Sequence, residues 1–309
     1  MAYTKLIQRS TPSAQVEQIT QSTHNQAYHL SLPAGKADRY RLAQLDDYAQ
    51  TARSKFPLNY PLSLGLSARA SSNSIPGTWG FGLWNDPFGL SLGFGGNPFR
   101  FPTLPNAVWF FGASKESYLS FRRERSGAFG ATQSKDMSQT SFTLDNPTSA
   151  NHRASTADGA TNAPSSAQRG AYNGFLAQTF RSPRFHPSLI PAGLALPFSR
   201  RKSRQLLGKV IGEDGIALSL DVTRWHRYSL DWRESGVSFA VDDIQVFASD
   251  VSPKPPLGLV IWIDNQFAAF TPEGKIGFGV LENPEAAWLD IKDIEVARDG
   301  IPHYQKLAE

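Results

Sequence analysis

Two short segments of the chain place carboxyl and amide side chains directly beside tryptophan. Residues 84–87 read WNDP, and residues 262–266 read WIDNQ after an apolar run. Indole faces stack on the C–H groups of pyranose rings, and carboxylate or amide groups hydrogen-bond to sugar hydroxyls. The two segments therefore predict a ligand site, with a further tryptophan in a neighbouring strand. The predicted substrate-binding residues are Trp84, Asn85, Trp109, Trp262, Asn265 and Gln266.

Asp86 and Asp264 are the candidate catalytic residues within these segments. A carboxyl group enclosed by indole rings can act as a general acid or base once its environment moves its pKa. Each segment can also be explained as a simple turn, because Asn-Asp-Pro and Asp-Asn sequences are frequent in turns. The sequence leaves both interpretations open, and with them the question of whether the protein is an enzyme.

The elements that must position these residues are predicted to be β-strands. Apolar residues alternate with small or polar ones over residues 61–70 and again over residues 78–84. Residues 225–243, WHRYSLDWRESGVSFAVDD, alternate, break at Ser235-Gly236 and then alternate again. A period of two indicates strands with one buried face, and the break predicts a β-hairpin. No helical period is sustained outside residues 184–213, which favours an all-β antiparallel sandwich.

Three of these segments carry a family resemblance. Residues 225–243 resemble the Trp/Phe-His-x-Tyr-x-x-x-Trp … Phe-x-Val-Asp-Gly hairpin of concanavalin A-like β-sandwiches, above all glycoside hydrolase family 16. PGTWGFGLW (residues 76–84) is similar to that family's Gly-x-Trp-Pro-x-x-Trp strand, and WLDIKDIEV (residues 288–296) to its closing strand. The resemblance covers roughly residues 62–296 outside an insertion. It implies an all-β, antiparallel concanavalin A-like β-sandwich (jelly roll) with a carbohydrate cleft.

The catalytic signature of that family, Glu-x-Asp-x-x-Glu or Glu-x-Asp-x-Glu, does not occur in the sequence. Its spacing puts a nucleophile and an acid/base about 5 Å apart on one face of a strand, which retaining hydrolysis requires. The strands after Trp84 read AVWFFGAS and SYLSFRRE instead. Asp293-x-Glu295 has a spacing of two but lies in the last strand, where a solvated face is expected. The resemblance therefore carries over the fold and the cleft, and no catalytic residue.

Two functions stay open at this point. The first is a carbohydrate-recognising protein that binds a glycan or glycolipid without the usual retaining carboxylate pair. The second is an atypical enzyme (a glycosidase-like hydrolase, or a cyclase or isomerase) acting on an apolar or lipid-linked substrate at a membrane surface, with Asp86 or Asp264 as general acid/base. An open groove with exposed tryptophan faces would favour the first, and a closed apolar pocket with one buried carboxylate would favour the second.

Composition predicts how the rest of the chain is organised. Residues 1–26 are polar and are predicted to be a flexible N-terminal arm, while residues 27–300 form one sandwich domain. An insertion at residues 132–213 is expected to be partly disordered and partly helical. Its segment 132–170 is of low complexity, with too few apolar groups to offset the entropy of ordering. Residues 301–309 are a C-terminal tail.

The later part of the insertion, residues 184–209, is a basic apolar flap that contains no Asp or Glu. An apolar run followed by basic residues can lie on anionic lipid, where each basic side chain contributes about 1 kcal/mol. The flap could equally pack its Leu and Pro residues on the sandwich and leave a solvated basic edge. Pro191 and Pro197 argue against one long helix through the apolar part. The predicted membrane contacts are Arg200, Arg201, Lys202 and Arg204.

Several classes of function are excluded or disfavoured. The chain has no Cys, which excludes disulfides, thiol catalysis and thiolate metal sites. A net charge of +4 gives no indication of a nucleic-acid partner. No apolar run is long enough for a signal peptide or a bilayer span, so we expect a cytoplasmic protein, with peripheral membrane attachment left open. No cofactor is predicted, except that Asp46-Asp47 and Asp242-Asp243 leave calcium binding open.

Overall fold

Two antiparallel sheets packed face to face form the described chain, which confirms the predicted class, an all-β antiparallel sandwich. They belong to a computed structural model that describes residues 6–19, 26–87, 103–121, 168–169, 173–183, 200–271, 273 and 275–298. All pairings between neighbouring strands of both sheets are antiparallel.

The larger sheet, which we call the front sheet, has eight strands among the described residues. Across the sheet they run in the order Ile7–Ser10 (β1), Leu42–Asp46 (β4), Gly258–Asp264 (β14), Thr78–Trp84 (β6), Ala107–Ala113 (β7), Gly174–Arg181 (β9), Gly212–Ala217 (β10) and Gln168–Arg169 (β8). Segments that lie far apart in the sequence therefore become neighbours, and β14 pairs with β6 although about 180 residues separate them in the chain.

The second sheet, the back sheet, has seven strands in the described part. Their order is Ile244–Ser249 (β13), Gly236–Val241 (β12), His226–Arg233 (β11), Leu62–Ala70 (β5), Ala287–Ala297 (β17), Ala27–Leu32 (β3) and Gln15–Gln18 (β2). The predicted hairpin is confirmed, because β11 and β12 pair in register around a turn at residues 234–235, one residue before the predicted break at Ser235-Gly236. A separate two-stranded sheet joins Gln266–Phe270 (β15) to Ile276–Val280 (β16).

The hydrophobic core lies between the two large sheets. Alternate residues of β11, Tyr228, Leu230 and Trp232, point into it, as do Leu259, Ile261 and Ile263 of β14. Each fully buried side chain of this size contributes roughly 1.5–3 kcal/mol relative to an exposed one. Because side chains of a strand alternate between faces, the intervening residues of β14 and its neighbours point away from this core. Those residues include most of the predicted site.

The N-terminal region is a correction to the sequence prediction. Residues 7–18 were expected to belong to a flexible arm, yet they form β1 and β2 at the edges of the two sheets. Ala14 between them is buried, and Leu6 and Val16 pack against the core. Two strands of four residues with one apolar side chain each are too short for a period of two to be recognised, so pairing with β4 and β3 decides their structure.

The insertion is described only in part. Most of the predicted low-complexity segment 132–170, residues 184–199 of the basic apolar flap and the tail 301–309 lie outside the described residues. Gln168–Arg169 form β8, and Arg200–Val210 form a helix (α1), which is the helical part that the sequence predicts. None of the helices in the described ranges is both long and apolar enough to cross a bilayer.

Candidate functional site

The outer face of the front sheet carries a cluster of aromatic side chains. These residues occupy the alternate positions of β6, β7, β9 and β14 that point away from the back sheet, together with a tyrosine that follows β4. We call this surface the aromatic face and define it by Tyr48, Trp84, Trp109, Phe111, Phe180 and Trp262. The alternation in the sequence thus correctly brings the predicted Trp84, Trp109 and Trp262 to one surface.

The three tryptophans of the aromatic face contact one another. Ring centroids lie 5.9 Å apart for Trp84 and Trp262, with planes inclined by 6°, and 5.7 Å apart for Trp109 and Trp262. Gly80 of β6 makes room for this packing. A Cβ at that position would lie 3.0 Å from Cη2 of Trp262 and 2.4 Å from the carbonyl oxygen of Phe110. Gly80 in the TWGFGLW segment therefore allows the indole ring of Trp262 to lie against the strand.

Every indole N–H of these tryptophans is satisfied inside the protein. Trp84 donates to Oη of Tyr48 at 2.6 Å, Trp109 to Oε1 of Gln178 at 3.3 Å and Trp262 to Oγ1 of Thr78 at 3.0 Å. Trp109 is 4% exposed and Trp262 is 6% exposed, whereas Trp84 is half-buried. The aromatic face is therefore a second packed cluster and not an open groove.

Part of the cover over the aromatic face comes from α1. Leu207 of this helix packs on the cluster, and Phe121 lies beside it. Arg204 is only 4% exposed; its guanidinium donates to the carbonyl oxygens of Phe270 and Ser120, both at 2.8 Å. The predicted contact of Arg204 with a membrane is therefore wrong, because its charge is turned into the protein. Arg201 and Lys202 are exposed, and Arg200 begins the helix.

Asp264 is a buried carboxylate at one end of the aromatic face. Its Oδ1 accepts hydrogen bonds from Oγ1 of Thr78 at 2.8 Å, the Gln266 amide at 3.0 Å and the Thr78 amide at 3.3 Å. Oδ2 accepts from Oη of Tyr40 at 3.3 Å. Burial raises the pKa of Asp264 to about 6, although these hydrogen bonds oppose the rise. A pKa of this value suits acid/base chemistry, while the four donors fasten the turn between β14 and β15.

Asn265 and Gln266 complete that turn. Asn265 is fully buried, and its side chain links three segments: Oδ1 accepts from the Arg41 amide at 2.8 Å, and Nδ2 donates to the carbonyl oxygens of Arg39 and Leu281. This side chain holds the fold in place and offers no free group to a ligand. Nε2 of Gln266 is buried without a hydrogen-bond partner among the described residues.

Asp86 lies at the opposite end of the aromatic face. In the antiparallel pair of β6 and β14, Thr78 faces Asp264 and Trp84 faces Gly258. Six residues of strand correspond to about 20 Å, so Asp86 and Asp264 do not share one site. Asp86 has a φ of 49°, and its carbonyl oxygen accepts from Nη2 of Arg53 at 2.5 Å. The WNDP segment is thus a turn, as the alternative interpretation of the sequence has it.

Asn85, beside Asp86, is a structural residue. Its Nδ2 donates to the carbonyl oxygen of Leu104 at 2.9 Å, and its Oδ1 accepts from the Asn106 amide at 3.0 Å. These bonds join the end of β6 to the start of β7. Both the oxygen and the nitrogen of the Asn85 side chain thus already form hydrogen bonds within the protein. A substrate predicted to contact Asn85 would compete with these bonds.

An acidic pair at the end of β4, Asp46 and Asp47, lies close to Trp84 and is not part of the predicted site. Asp46 is fully buried, and its Oδ1 accepts from the amides of Tyr48 and Ala49 at 3.2 and 2.7 Å. Burial raises the pKa of Asp47 to about 7; its Oδ1 accepts from the Leu259 amide, while its Oδ2 has no partner among the described residues. Two acids and a tyrosine at the end of an alternating strand are the signal that could have located this pair.

The sequence also left calcium binding open at two acidic pairs. In the described part of the chain, no group of three or more His, Asp or Glu side chains could hold a metal ion. At the first pair, Oδ2 of Asp46 accepts from Nε2 of Gln44 at 2.8 Å. At the second, the carboxylate of Asp242 accepts from the Arg227 amide and pairs with Nδ1 of His226.

Comparisons with known proteins find similar solved structures but no family for the chain. No family model and no curated protein matches it. One similar solved structure is a glycoside hydrolase family 16 protein of a Bacteroides ovatus mixed linkage glucan PUL, in complex with G4G4G3G product, at 9% identity, 94% coverage of both chains and a TM-score of 0.41. A native glycosidic hydrolase is also 9% identical, with 98% of this chain and 100% of that chain covered and a TM-score of 0.41. A sialidase is 7% identical with a TM-score of 0.37, and 95% of this chain spans only 17% of it.

Proposed function

We propose that the protein recognises carbohydrate without hydrolysing it. The observation that carries this proposal is the outward face of β7, which presents Ala107, Trp109, Phe111 and Ala113. This strand follows β6 in the chain and pairs with it, where the resemblance to family 16 places two carboxylates. Retaining hydrolysis needs two carboxyl groups about 5 Å apart, one as nucleophile and one as acid/base. None of these four side chains carries a carboxyl group.

Trp84 is the residue that we assign to sugar binding. It is the half-buried member of the three tryptophans, and its N–H is fixed by Tyr48, which orients the ring. Trp109 and Trp262 pack against it and hold it in place. An indole held rigidly in this way stacks on a pyranose ring with little loss of side-chain entropy.

Calorimetric titration with β-glucan and galactan oligosaccharides tests this assignment. Trp84→Ala is expected to weaken binding about tenfold, or roughly 1.4 kcal/mol. The matched control is Trp225→Ala, because Trp225 is 39% exposed and adjoins the back sheet, where it should leave affinity unchanged. A reducing-end assay of the same mixtures should detect no product. Release of new reducing ends, or equal losses in both variants, would reject the proposal.

A second candidate function is supported by the closed state of the aromatic face. Buried indole rings beside one carboxyl group with a pKa of about 6 suit an atypical enzyme for an apolar or lipid-linked substrate, with Asp264 as acid/base. The exposed Arg201 and Lys202 would then meet an anionic surface. Turnover of glycolipids or isoprenoids in anionic liposomes, lost in Asp264→Asn and kept in Asp86→Asn, would favour this function over the first.

A further inference from the structure

A cavity of about 390 Å³ opens at the end of the sandwich where β9 ends and β10 begins. We call it the end cavity; the lining residues that matter are Arg181, Ser182, Val210, Asp250, Val251 and Lys254. Its volume falls within the roughly 300–1,000 Å³ typical of small-molecule sites. Its Arg181 directly follows Phe180 of the aromatic face in β9, and the two side chains point to opposite faces of that strand.

The polar groups of the end cavity are not paired with one another. Arg181 and Lys254 are exposed, and within the described ranges neither side chain makes a hydrogen bond or an ion pair. Ser182 is fully buried, yet its hydroxyl has no hydrogen-bond partner in the part of the chain that the structure describes. Two exposed cations at one cavity, neither paired with an acidic side chain of the described residues, point to an anionic ligand.

One buried amide holds the walls of the end cavity together. Oδ1 of Asn106 accepts from the Ser182 amide at 3.0 Å and from the Lys254 amide at 2.9 Å, and its Nδ2 donates to the Ser182 carbonyl at 3.0 Å. A further bond joins Oγ1 of Thr179 to the carbonyl oxygen of Val251 at 2.9 Å. The segments that carry both cations are therefore fixed relative to each other before any ligand binds, which lowers the entropic cost of binding.

We propose that the end cavity binds a small ligand through a singly charged anionic group, a carboxylate or a sulfate ester. The guanidinium of Arg181 can donate two parallel N–H bonds to such a group, and the ammonium of Lys254 adds a third donor. Two cations and the carboxylate of Asp250 leave a net charge of +1 in the lining, which matches a monoanion. Val210 and Val251 provide apolar contact for the carbon skeleton of the ligand.

Calorimetry at constant ionic strength tests this proposal with sodium glucuronate, glucose 6-sulfate and glucose as probes. At least one of the two anionic probes should bind about tenfold more tightly than glucose, and the one that binds identifies the anionic group. Arg181→Gln should weaken that binding about tenfold, and Lys254→Gln several-fold. The matched controls Arg224→Gln and Lys275→Gln remove exposed charges elsewhere and should leave it unchanged.

Asp250→Asn tests the proposal in the opposite direction, because it is expected to raise the affinity for the anion. Removal of the one carboxylate in the lining should tighten binding of the anion several-fold, because like charges repel at short range. The proposal is rejected if glucose binds as well as the anions, if Arg181→Gln behaves like Arg224→Gln, or if Asp250→Asn weakens binding. Trp84→Ala should leave glucuronate affinity unchanged, so the end cavity and the proposed glycan site can fail independently.

Discussion

The aromatic face and the end cavity share strand β9, yet they differ in whether their polar groups have hydrogen-bond partners. Phe180 belongs to the first and Arg181, the next residue of β9, to the second. On the aromatic face the indole N–H groups and both oxygens of Asp264 have partners within the protein. In the end cavity two cations and a buried hydroxyl have none among the described residues. Satisfied groups stabilise the fold, whereas unsatisfied groups remain available for a ligand.

The largest effect is expected from a substitution at the end of the aromatic face, where the polar groups are hydrogen-bonded. Asp264→Ala removes the acceptor of four hydrogen bonds, among them those from the buried Thr78 amide and the part-buried Gln266 amide. We expect a loss of about 3 kcal/mol in the free energy of unfolding, measured by urea titration. Asp250→Ala in the end cavity is the matched control and should change stability by less than about 0.5 kcal/mol. Equal losses in the two variants would contradict the contrast between the regions.

Two glycine substitutions, one in each region, compare the aromatic face and the end cavity through smaller changes in stability. Gly80→Ala would place a Cβ 2.4 Å from the Phe110 carbonyl oxygen and 3.0 Å from the ring of Trp262, so we expect a loss of about 1–3 kcal/mol. Gly212→Ala, beside the end cavity, meets its nearest atom at 3.4 Å, an ordinary contact. That variant should be neutral or stabilise by up to about 1 kcal/mol, since alanine restricts the unfolded chain. Thermal unfolding of both variants measures the difference: Gly80→Ala should lower the melting temperature and Gly212→Ala should not.

The smallest expected effect, taken over one pH unit, concerns Asp47. One of its oxygens has a hydrogen-bond partner, as on the aromatic face, and the other has none among the described residues, as in the end cavity. Burial raises its pKa to about 7, above the value of about 3.9 in an unfolded chain. The native state then binds the proton more tightly, so this group lowers stability as pH rises from about 4 to 7 and has no further effect above that window. The slope has an upper limit of about 1.4 kcal/mol per pH unit.

Urea titrations across this pH window measure the contribution of Asp47. Asp47→Asn, which cannot ionise, should flatten the decline in stability between about pH 6 and 7, where Asp264 with its pKa of about 6 contributes less. Asp250→Asn should keep the slope of the natural sequence. A slope that is unchanged in Asp47→Asn would show that this carboxyl group is solvated.

Strand periodicity explains why the fold and the faces could be predicted from the sequence. In residues 225–243 and 78–84 the alternation of side chains identifies the strands and also which residues share a face. Trp84, Trp109 and Trp262, which the sequence analysis places in one predicted site, do lie on a common surface. The same rule fails for β1 and β2, because four residues contain too few alternations to be distinguished from a polar linker.

Features that depend on pairing between distant segments could not be predicted. The separation of Asp86 from Asp264 follows from the antiparallel pairing of β6 with β14, which local sequence does not encode. The burial of Arg204 depends on carbonyl groups that α1 meets only in the folded chain. The end cavity combines residues around positions 106, 181 and 254, and none of these stretches has a recognisable motif of its own.

The N-terminal strands have a consequence for self-association. β1 forms the outermost strand at one end of the front sheet, and β2 forms the outermost strand at one end of the back sheet. The four residues between them pass from one sheet to the other, so one short segment covers β4 and β3 together. An uncovered strand offers a row of free N–H and C=O groups to any neighbouring molecule. Residues 7–18 thus replace the edges that β4 and β3 would present by two strands of four residues, and short edge strands offer less backbone to a second copy of the chain.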